Sequence, residues 1–425
     1  MAYADKDYRQ NLIAMKKIIF DATVLVDGDD MKEERRGIYD VAKNLLLEMC
    51  RQNKSEIILY ASGCKMAGLS KVIADLHLSV KPYRSVPVFG KMLHKAMTFC
   101  RKKRMLPDSN GILKSLCSLV IFILVAFSSI YFSCLNMGCK YGEDTVFFSP
   151  RTSAPWFINR QKTVKKYIVL HDLIPVLLKN SPELLKWGWF SYLLRTLNGN
   201  DFYFAISENT KKDYCEYSKK IDPSHIKTIH WAADKGFFPQ KNLDARIRLK
   251  KKYEIPVDKS YVFAIGGQDP RKNAARIVRS FVAFKQKNKI DDLVLVVSGC
   301  RENKDDGAVL YRSYIDGKDL PLLYSNAEWF VFTSQYEGFG LPPLEAMQCG
   351  CPVIASNNSS IPEVVGDAGL LIDWNSDEQH LAAFEKYYFD ENLRNEKRNK
   401  GLVRAGMFSW KKTMAEIVSV MNGDA

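Results

Sequence analysis

The stretch from Thr333 to Asp373 constrains the fold of this chain more than any other part of the sequence. An apolar run at residues 329–332 leads into a turn at residues 337–340 that contains two glycines, and two prolines follow it. Proline suits the first turn of a helix because the N–H group that it lacks has no partner there, and Gly350 is typical of a helix end. A second apolar run begins at residue 352, so the stretch predicts a strand, a loop, a short helix and another strand.

The predicted helix start has the properties of an anion site. Glycines ahead of a helix allow backbone amides to approach a ligand closely, and the N-terminus of a helix attracts negative charge. A phosphate or diphosphate is therefore the expected ligand. A purely structural interpretation also stands, in which Glu345 favours the helix through its dipole and the glycines only turn the chain.

Two glutamates, Glu337 and Glu345, lie in this stretch with seven residues between them, within the frame S-x-Y-E-G-F-G-L-P-x-L-E-A-M-x-C-G-x-P-V-I-A-S. This frame resembles the signature of the retaining GT-B glycosyltransferases related to bacterial mannosyltransferases and sucrose synthase, glycosyltransferase family four. The resemblance covers residues 15–421, densely after residue 165 and weakly between 60 and 140. It implies an α/β chain of GT-B fold, with two Rossmann-like domains facing a cleft. The implied reaction transfers a hexose, with mannose favoured, from a nucleotide-diphosphate sugar with retention of configuration.

The length of 425 residues also favours two domains of about 200 residues each. We expect a polar N-terminal tail at 1–14, an acceptor domain at 15–240 and a nucleotide-sugar donor domain at 241–404. The resemblance adds a C-terminal helix at 405–425 that crosses back to the first domain. The start of the sequence lacks the apolar core of a signal peptide, and ten cysteines are scattered without a CxxC pair. Both features favour reduced thiols in a cytoplasmic protein.

A formal net charge of +14 predicts an anionic partner. Nucleic acid, an anionic membrane and phosphorylated substrates all qualify. The basic residues lack the interleaved aromatic residues on which bases stack, so we expect no nucleic acid partner. An anionic membrane surface and a nucleotide-diphosphate sugar are then the expected partners.

The most apolar part of the chain is segment 112–136, which carries no charge between Ser115 and Leu135. These 21 residues could span a bilayer, but a spanning helix would interrupt a domain whose later strands return to the same sheet. A buried helix is a second interpretation. A third is an interfacial helix whose neighbouring run, Arg101–Arg104, binds anionic head groups. The sequence leaves these open and favours membrane contact, with the protein peripheral on the cytoplasmic face.

Two candidate donor contacts lie in the first half of the chain. Gly37 belongs to the string RGIY at 36–39, which resembles the family's glycine loop facing the donor across the cleft; an exposed loop with a helix-starting glycine is the alternative. His171 follows a predicted strand in the string HDLIP, and ligands of open α/β sheets bind beyond the carboxyl ends of strands. The string resembles the family motif in which this histidine contacts the transferred sugar. The triplet Asp27-Gly28-Asp29 matches a metal-binding DxD only superficially, and we expect no metal.

The second half supplies two glycines and two cations after a predicted strand. Gly266 and Gly267 precede Arg271 and Lys272, just ahead of a predicted helix. Open backbone, a helix start and positive charge together suit a diphosphate. A solvated surface pair is the alternative for the two cations. The segment resembles the family's P-R-K-N motif, which assigns Lys272 and Arg271 to the donor diphosphate.

The resemblance assigns further roles. Glu345 would hold the donor ribose, Glu337 would hold hydroxyls of the transferred sugar, and His171 would orient that sugar near the acceptor. Arg271 and Lys272, with the backbone amides after Glu337, would stabilise the leaving diphosphate in place of a metal, so no cofactor is expected. The expected catalytic residues are His171, Glu337, Lys272 and Arg271. The expected donor-binding residues are Gly37, Gly266, Gly267, Glu337, Gly338, Phe339, Gly340, Leu341 and Glu345.

The acceptor is defined less sharply. A basic and apolar first half favours a saccharide or lipid-linked saccharide acceptor in bacterial surface polysaccharide synthesis, such as lipopolysaccharide or capsule. A catalytically silent GT-B scaffold that binds membrane or a partner enzyme is the alternative. Residues 299–320 are fewer than the family usually has there and lack a full helix. Since that region commonly borders the nucleotide base, the identity of the donor nucleotide stays open.

Overall fold

The computed structural model describes residues 17–27, 36–52, 55–83, 141–142, 144–178 and 194–423, together with scattered positions between 90 and 134. Several features named from the sequence lie outside the described residues. They are the N-terminal tail 1–14, the last two residues of the DxD triplet, the basic run Arg101–Arg104 and most of segment 112–136.

Seven strands form the sheet of the first domain, in the order β3-β2-β1-β4-β5-β6-β7. Every neighbouring pair is parallel. Strand β4, with the sequence TVFFS, is buried along its whole length, which is typical of a parallel sheet covered on both faces. The strands are β1 (Lys17–Asp21), β2 (Glu56–Tyr60), β3 (Lys81–Pro82), β4 (Thr145–Ser149), β5 (Lys165–Leu170), β6 (Phe202–Ala205) and β7 (Ile226–Thr228).

A second seven-stranded sheet follows, in the order β10-β11-β9-β8-β12-β13-β14. All neighbouring strands are parallel except β10 and β11, which form an antiparallel hairpin at one edge. This hairpin occupies the region for which the sequence predicts no full helix. The strands are β8 (Ser260–Ile265), β9 (Leu293–Ser298), β10 (Lys304–Asp306), β11 (Val309–Arg312), β12 (Phe330–Phe332), β13 (Val353–Ser356) and β14 (Leu370–Ile372).

Helices connect the parallel strands in both domains. The labelled helices of the first domain are α1 (Thr23–Asp27), α2 (Arg36–Gln52), α3 (Leu69–Asp75), α4 (Trp156–Asn159), α5 (Ile174–Leu177) and α6 (Glu208–Tyr217). Those after it are α7 (Leu243–Lys252), α8 (Ala274–Asn288), α9 (Leu320–Asn326), α10 (Leu341–Gln348), α11 (Ile361–Val365), α12 (Asp377–Phe389), α13 (Glu391–Gly406) and α14 (Trp410–Asn422). Short 3₁₀ turns occupy Gly63–Gly68, Pro223–His225, Pro270–Lys272 and Gly366–Ala368.

The last helix, α14, packs on the first domain. The ring of Trp410 stacks on Trp231 with 5.6 Å between centroids, and the hydroxyl of Tyr167 in β5 donates to the carbonyl of Met421 at 3.1 Å. These contacts join the end of the chain to the first sheet and bring the two domains together.

The described positions between residues 116 and 134 are helical. One side of this helix faces the protein, since Cys117 is buried and Leu124 and Tyr131 pack against the core. Among the residues that the structure describes, no helix is both long and apolar enough to cross a bilayer.

Candidate active site

Two loops of the second domain meet at the carboxyl edge of its sheet. Strands β8 and β12 are neighbours at the point where the strand order reverses, and ligands of open α/β sheets bind at that point. The loop after β8 carries the glycines and cations of residues 266–272, and the loop after β12 covers residues 333–340. The N–H of Gln335 donates to the carbonyl of Arg271 at 2.8 Å, which joins the two loops directly.

The loop after β12 ends in a helix start with unpaired backbone donors. Helix α10 begins at Leu341 with a proline in its first turn, and Gly340 precedes it with a left-handed φ of +119°. A Cβ at Gly340 would also lie only 2.9 Å from the Cδ1 atom of Ile361. No acceptor among the described residues takes the N–H groups of residues 338–341. The amides that the sequence predicts for an anion are thus available at a helix N-terminus.

Glu337 lies at the centre of a buried group of charges. Its Oε1 atom accepts hydrogen bonds from Lys272 Nζ at 2.6 Å and from Arg271 Nη1 at 2.7 Å. Burial by itself would raise the pKa of Glu337, but the charges of Lys272 and Arg271 outweigh burial and lower it. One carboxylate and two cations give this trio a net positive charge, which the half-exposed carboxylate of Asp269 beside Arg271 offsets in part. The remaining positive charge favours an anionic ligand.

Arg271 is fixed by a second carboxylate. Its Nη2 atom donates to Asp269 Oδ2 at 2.9 Å. Burial would lower the pKa of Arg271, but Glu337 and Asp269 raise it, so the guanidinium stays charged. The ammonium of Lys272 lies 4.5 Å from the centroid of the Phe332 ring, a cation–π contact that holds the side chain over β12. Both cations are therefore positioned before any ligand binds.

The two glycines before these cations make room for neighbouring side chains. Gly266 has a φ of +100°, and a Cβ at this position would lie 2.4 Å from Lys272 Cγ. A Cβ at Gly267 would lie 2.4 Å from the sulfur of Cys300. The structure thus gives each glycine a packing reason, while their predicted contact with the donor stays a prediction.

His171 follows β5 at the carboxyl edge of the first sheet. Its Nε2 atom donates to the carbonyl of Pro150 at 2.7 Å, which leaves Nδ1 as an acceptor in the neutral ring. Burial lowers the pKa of the imidazole, so the neutral form dominates at neutral pH. A neutral imidazole with a free acceptor can receive a hydroxyl hydrogen of a sugar.

Asp172 is one of the residues at this edge that touch the second domain. A Cβ at Gly338 would lie 2.7 Å from the Cβ atom of Asp172. Any residue other than glycine at position 338 would therefore have to push the two domains apart. Burial raises the pKa of Asp172, although the N–H of Ile174 donates to its carboxyl at 3.1 Å. The charges of Glu337 and Arg271 act on the same carboxyl. Asp172 therefore belongs to the site, although the sequence analysis assigned a role only to the preceding histidine.

Glu345 lies one turn into α10. Burial, followed by the charges of Asp40 and Asp234, raises the pKa of Glu345 to about 8. Asp40 is one turn after Gly37 in α2, and its charge acts on Glu345, so the start of α2 faces Glu345 across the cleft. No described atom lies within 4 Å of the position that a Cβ at Gly37 would take, so sterics do not demand glycine there.

A further contact closes the cleft between the domains. The carboxylate of Glu363 in α11 accepts the N–H groups of Glu208 at 2.9 Å and Asn209 at 3.1 Å, at the N-terminus of α6. His230 Nε2 lies 3.3 Å from the same carboxylate. A carboxylate is favourable at a helix N-terminus because of the helix dipole. Glu363 is thus an interdomain contact.

The structure therefore brings together most of the predicted site. The carboxylate of Glu337, its two cations and the free amides form one cluster, and the edge carrying His171 and Asp172 lies against it. This arrangement offers positive charge, backbone donors and a neutral histidine around one cleft. It can bind a diphosphate and place a hydroxylated group beside it.

Two Rossmann-like domains with this pair of loops at the switch point of the second sheet define the GT-B fold of glycosyltransferases. Residues 245–403 match the family model of the glycosyl transferases group 1. The resemblance drawn from the sequence is thus confirmed for the GT-B fold, and residues 245–403 are similar to this family of glycosyltransferases.

Among curated proteins, the chain is similar to the O-antigen chain mannosyltransferase B of Escherichia coli. The two are 34% identical over 206 residues, which cover 46% of this chain and 53% of that protein. The chain thus spans about half the length of this curated relative.

Solved structures share the fold over almost the whole chain. Sucrose-phosphate synthase from Thermosynechococcus elongatus aligns with a TM-score of 0.61 at 16% identity, over 96% of this chain and 98% of that one. Anabaena HepE in complex with UDP and glucose gives 0.61 at 14% identity, over 96% and 99%. At these identities the likeness concerns the fold.

Proposed function

We propose that this protein is a retaining, metal-independent hexosyltransferase, with mannose favoured, that uses a nucleotide-diphosphate sugar. The observation that carries the proposal is the buried trio of Glu337, Lys272 and Arg271 beside the unpaired amides of residues 338–341. Two cations and a helix N-terminus at one point suit a leaving diphosphate. They supply the positive charge that a divalent metal would otherwise bring.

In the proposed reaction the bond between the sugar C1 atom and the diphosphate breaks, and a bond to the acceptor oxygen forms on the same face. The departing diphosphate receives the acceptor proton. Lys272 and Arg271 neutralise the charge that develops on the leaving group, and the amides of residues 338–341 donate to its oxygens. Only Oε1 of Glu337 is engaged by the cations, so Oε2 can accept a sugar hydroxyl.

His171 and Glu345 take the remaining roles in the proposal. The free Nδ1 of His171 would accept a hydroxyl of the transferred sugar and orient it toward the acceptor. Glu345 would hold the donor ribose. In this proposal Glu337 orients sugar hydroxyls and is not a nucleophile, because Lys272 and Arg271 both occupy its Oε1 atom.

The acceptor in this proposal is a saccharide or lipid-linked saccharide of bacterial surface polysaccharide synthesis. What supports it is the name of the curated relative, an O-antigen chain mannosyltransferase.

A donor panel tests the function. GDP-mannose, UDP-sugars and dTDP-rhamnose are each incubated with the protein and a bacterial membrane extract, and both nucleoside diphosphate release and sugar incorporation are measured. We expect one donor to be consumed, and Lys272→Ala to abolish most of the turnover. Lys318→Ala, which removes an exposed lysine, is the matched control. A protein that consumes no donor while it binds membranes would instead be a silent scaffold.

We further propose that the helix at residues 116–134 contacts an anionic membrane surface from the cytoplasmic side. Four aliphatic side chains on its outer side, here called the apolar face, are 55–66% exposed: Leu116, Leu119, Ile123 and Ile130. Their spacing of three to seven residues places them on one side of a helix. The exposed Lys95 and the basic run Arg101–Arg104 in the sequence before this face add positive charge. An apolar helix face that follows a cation-rich stretch of the sequence suits an interface with anionic lipid.

Flotation with liposomes tests the membrane contact. The wild type should float with phosphatidylglycerol vesicles and much less with phosphatidylcholine vesicles. The triple variant Leu119→Ser, Ile123→Ser, Ile130→Ser should stay unbound. Leu243→Ser with Val403→Ser, two exposed apolar residues of the second domain, is the control and should float normally. If the triple variant floats like the wild type, the apolar face does not bind lipid. The same conclusion follows if the three substitutions abolish only self-association, measured by sedimentation, and leave flotation unchanged.

A further inference from the structure

The carbonyl group of Gly338 is held by two hydroxyls of the opposite domain. It accepts hydrogen bonds from Ser207 Oγ at 2.8 Å and from Thr210 Oγ1 at 3.2 Å. Both side chains are fully buried, and Gly338 lies against Asp172 and Ile206. This carbonyl is therefore shielded from water when the cleft is closed, and among the described residues its donors come from the first domain.

The carbonyls on either side of Gly338 are held from within the second domain. Ser360 Oγ lies 2.9 Å from the carbonyl oxygen of Glu337 and 2.7 Å from that of Phe339. The N–H of Glu337 donates to Ser359 Oγ at 3.1 Å. The hydroxyl of Ser360 has a single hydrogen, which these two carbonyls share. The carbonyl of Gly338 between them depends on the first domain.

In a planar trans peptide the C=O of one residue and the N–H of the next point in opposite directions. Fixing the Gly338 carbonyl on Ser207 and Thr210 therefore turns the Phe339 N–H away from the first domain's hydroxyls. That N–H is one of the four unpaired amides at the start of α10. The hydrogen bonds from Ser207 and Thr210 of the first domain therefore set the direction of the Phe339 N–H.

We propose that Ser207 and Thr210 are positioning residues, which orient the Phe339 N–H toward the donor diphosphate when the domains close. This inference rests on the proposed function, since it concerns the same diphosphate. It couples closure of the cleft to completion of the anion site. An open protein would bind the donor with a less ordered loop, and the full set of amides would be aligned only in the closed form.

The variants must separate this role from helix capping. Ser207 is also the N-cap of α6, since its Oγ accepts the N–H of Thr210 at 3.0 Å. Thr210→Val removes one hydroxyl at constant shape and leaves the cap intact, and Thr210→Ser retains the hydroxyl. Ser207→Ala with Thr210→Val leaves the carbonyl without a donor. Ser376→Ala removes a comparable cap from α12 and controls for lost helix stability.

Carbonyl labelling reads the hydrogen bond without any need for activity. The sequence contains only two Gly-Phe steps, Gly236-Phe237 and Gly338-Phe339. Protein labelled with ¹³C-carbonyl glycine and ¹⁵N-phenylalanine therefore gives two carbonyl–amide cross-peaks, of which Phe237 is the internal reference. In the double variant we expect the Gly338 carbonyl shift to move upfield and the Phe237 peak to stay. Addition of GDP or UDP should move the Phe339 peak in the wild type and move it much less in the double variant.

Kinetics complete the test. In the double variant we expect kcat to fall about tenfold with a smaller change in donor KM, because the bond is made in the closed form. The kcat of Thr210→Val should lie between those of the wild type and the double variant. The kcat values of Thr210→Ser and Ser376→Ala should resemble that of the wild type. An unmoved Gly338 carbonyl shift, or a kcat of the double variant equal to that of Ser376→Ala, overturns the inference.

The same labelling separates this inference from the proposed function. If the wild type consumes no donor, the proposed function fails, and the Phe339 response to GDP or UDP decides the inference alone. A response that is lost in the double variant supports the positioning role. No response in the wild type, or the same response in both proteins, overturns it.

Discussion

Lys272 and Glu337 form a buried ion pair, with 2.6 Å between Nζ and Oε1, that joins the loops after β8 and β12. The two residues are 65 positions apart in the sequence. Arg271 also binds the same carboxylate oxygen, so two cations share one carboxylate. The ion pairs therefore hold both cations in place before the donor binds. When the diphosphate binds, one cation can turn to it while the other stays on Glu337.

Lys272→Ala should lower kcat by about a hundredfold or more, because one of the groups that stabilises the leaving diphosphate is lost. Glu337 keeps Arg271 as a partner, so the protein should remain folded. The pKa of Glu337 is lowered, so its ion pairs contribute stability above the ordinary glutamate pKa of about 4.3 and are lost only as the pH falls through the lower folded value. Steady-state kinetics and thermal melts check both statements. Unchanged turnover in Lys272→Ala would exclude this lysine from the diphosphate site.

Local features of this site could be predicted from the sequence. The proline-rich start of α10, the N-cap Ser207 and the glycine turns depend on residues within one turn of each other, so short patterns indicate them. The family frame, the HDLIP string and the P-R-K-N motif then predicted Glu337, His171 and Lys272 at one cleft. The structure places all three at the edges where the two domains meet.

Contacts between the domains could not be predicted in the same way. Ser207 and Gly338 are 131 residues apart, and Glu363 is more than 150 residues from the helix start that it caps. Neither contact leaves a periodic or short-range signal, since each depends on how closely two sheets approach. Asp172 is an intermediate case, because it stands next to His171 but its role appears only where Gly338 touches it.

Donor binding should strengthen as the pH rises through about 8, the raised pKa of Glu345. Below that value the carboxyl is protonated and accepts ribose hydroxyls less well than a carboxylate does. Calorimetric titration with the preferred nucleoside diphosphate between pH 6.5 and 9 measures the trend. In Glu345→Gln the trend should vanish and the affinity should be about tenfold lower at pH 9. An affinity that does not vary with pH in the wild type would contradict the ribose role.

The carboxyl of Glu345 should also affect stability. Donor affinity rises with pH, whereas the free energy of unfolding should fall with pH. The folded protein keeps the Glu345 proton up to about pH 8, whereas the unfolded chain loses it near the ordinary glutamate pKa of about 4.3. The folded state therefore binds more protons between these values, and the free energy of unfolding falls as the pH rises, by at most about 1.4 kcal/mol per pH unit. Denaturant titrations of the wild type and Glu345→Gln should show a shallower pH dependence in the variant. Equal slopes would mean that the carboxyl is ionised in the folded protein.

Glu363→Ala should weaken closure of the cleft, because α6 loses the carboxylate at its N-terminus. Burial would raise the pKa of Glu363, but His230 and the two backbone N–H groups lower it, so the contact should persist at neutral pH and be lost only in acid. A loss of about 1 kcal/mol is expected for such a contact, or about fivefold in kcat/KM. Small-angle scattering with nucleoside diphosphate should show a more open variant. Glu378→Ala, which alters an exposed glutamate of α12, should scatter like the wild type.

Gly338→Ala should hold the domains apart, because its Cβ would lie 2.7 Å from the Cβ atom of Asp172. The backbone of Gly338 is not in the left-handed region, so the expected defect is steric and confined to the cleft. We expect at least a tenfold loss of kcat, an expanded radius of gyration and a melting temperature within a few degrees of the wild type. Asp172→Gly in the same chain removes the clashing atom and should restore the compact radius without restoring full activity. A compact Gly338→Ala single variant with normal kcat would show that the domains do not approach this closely during turnover.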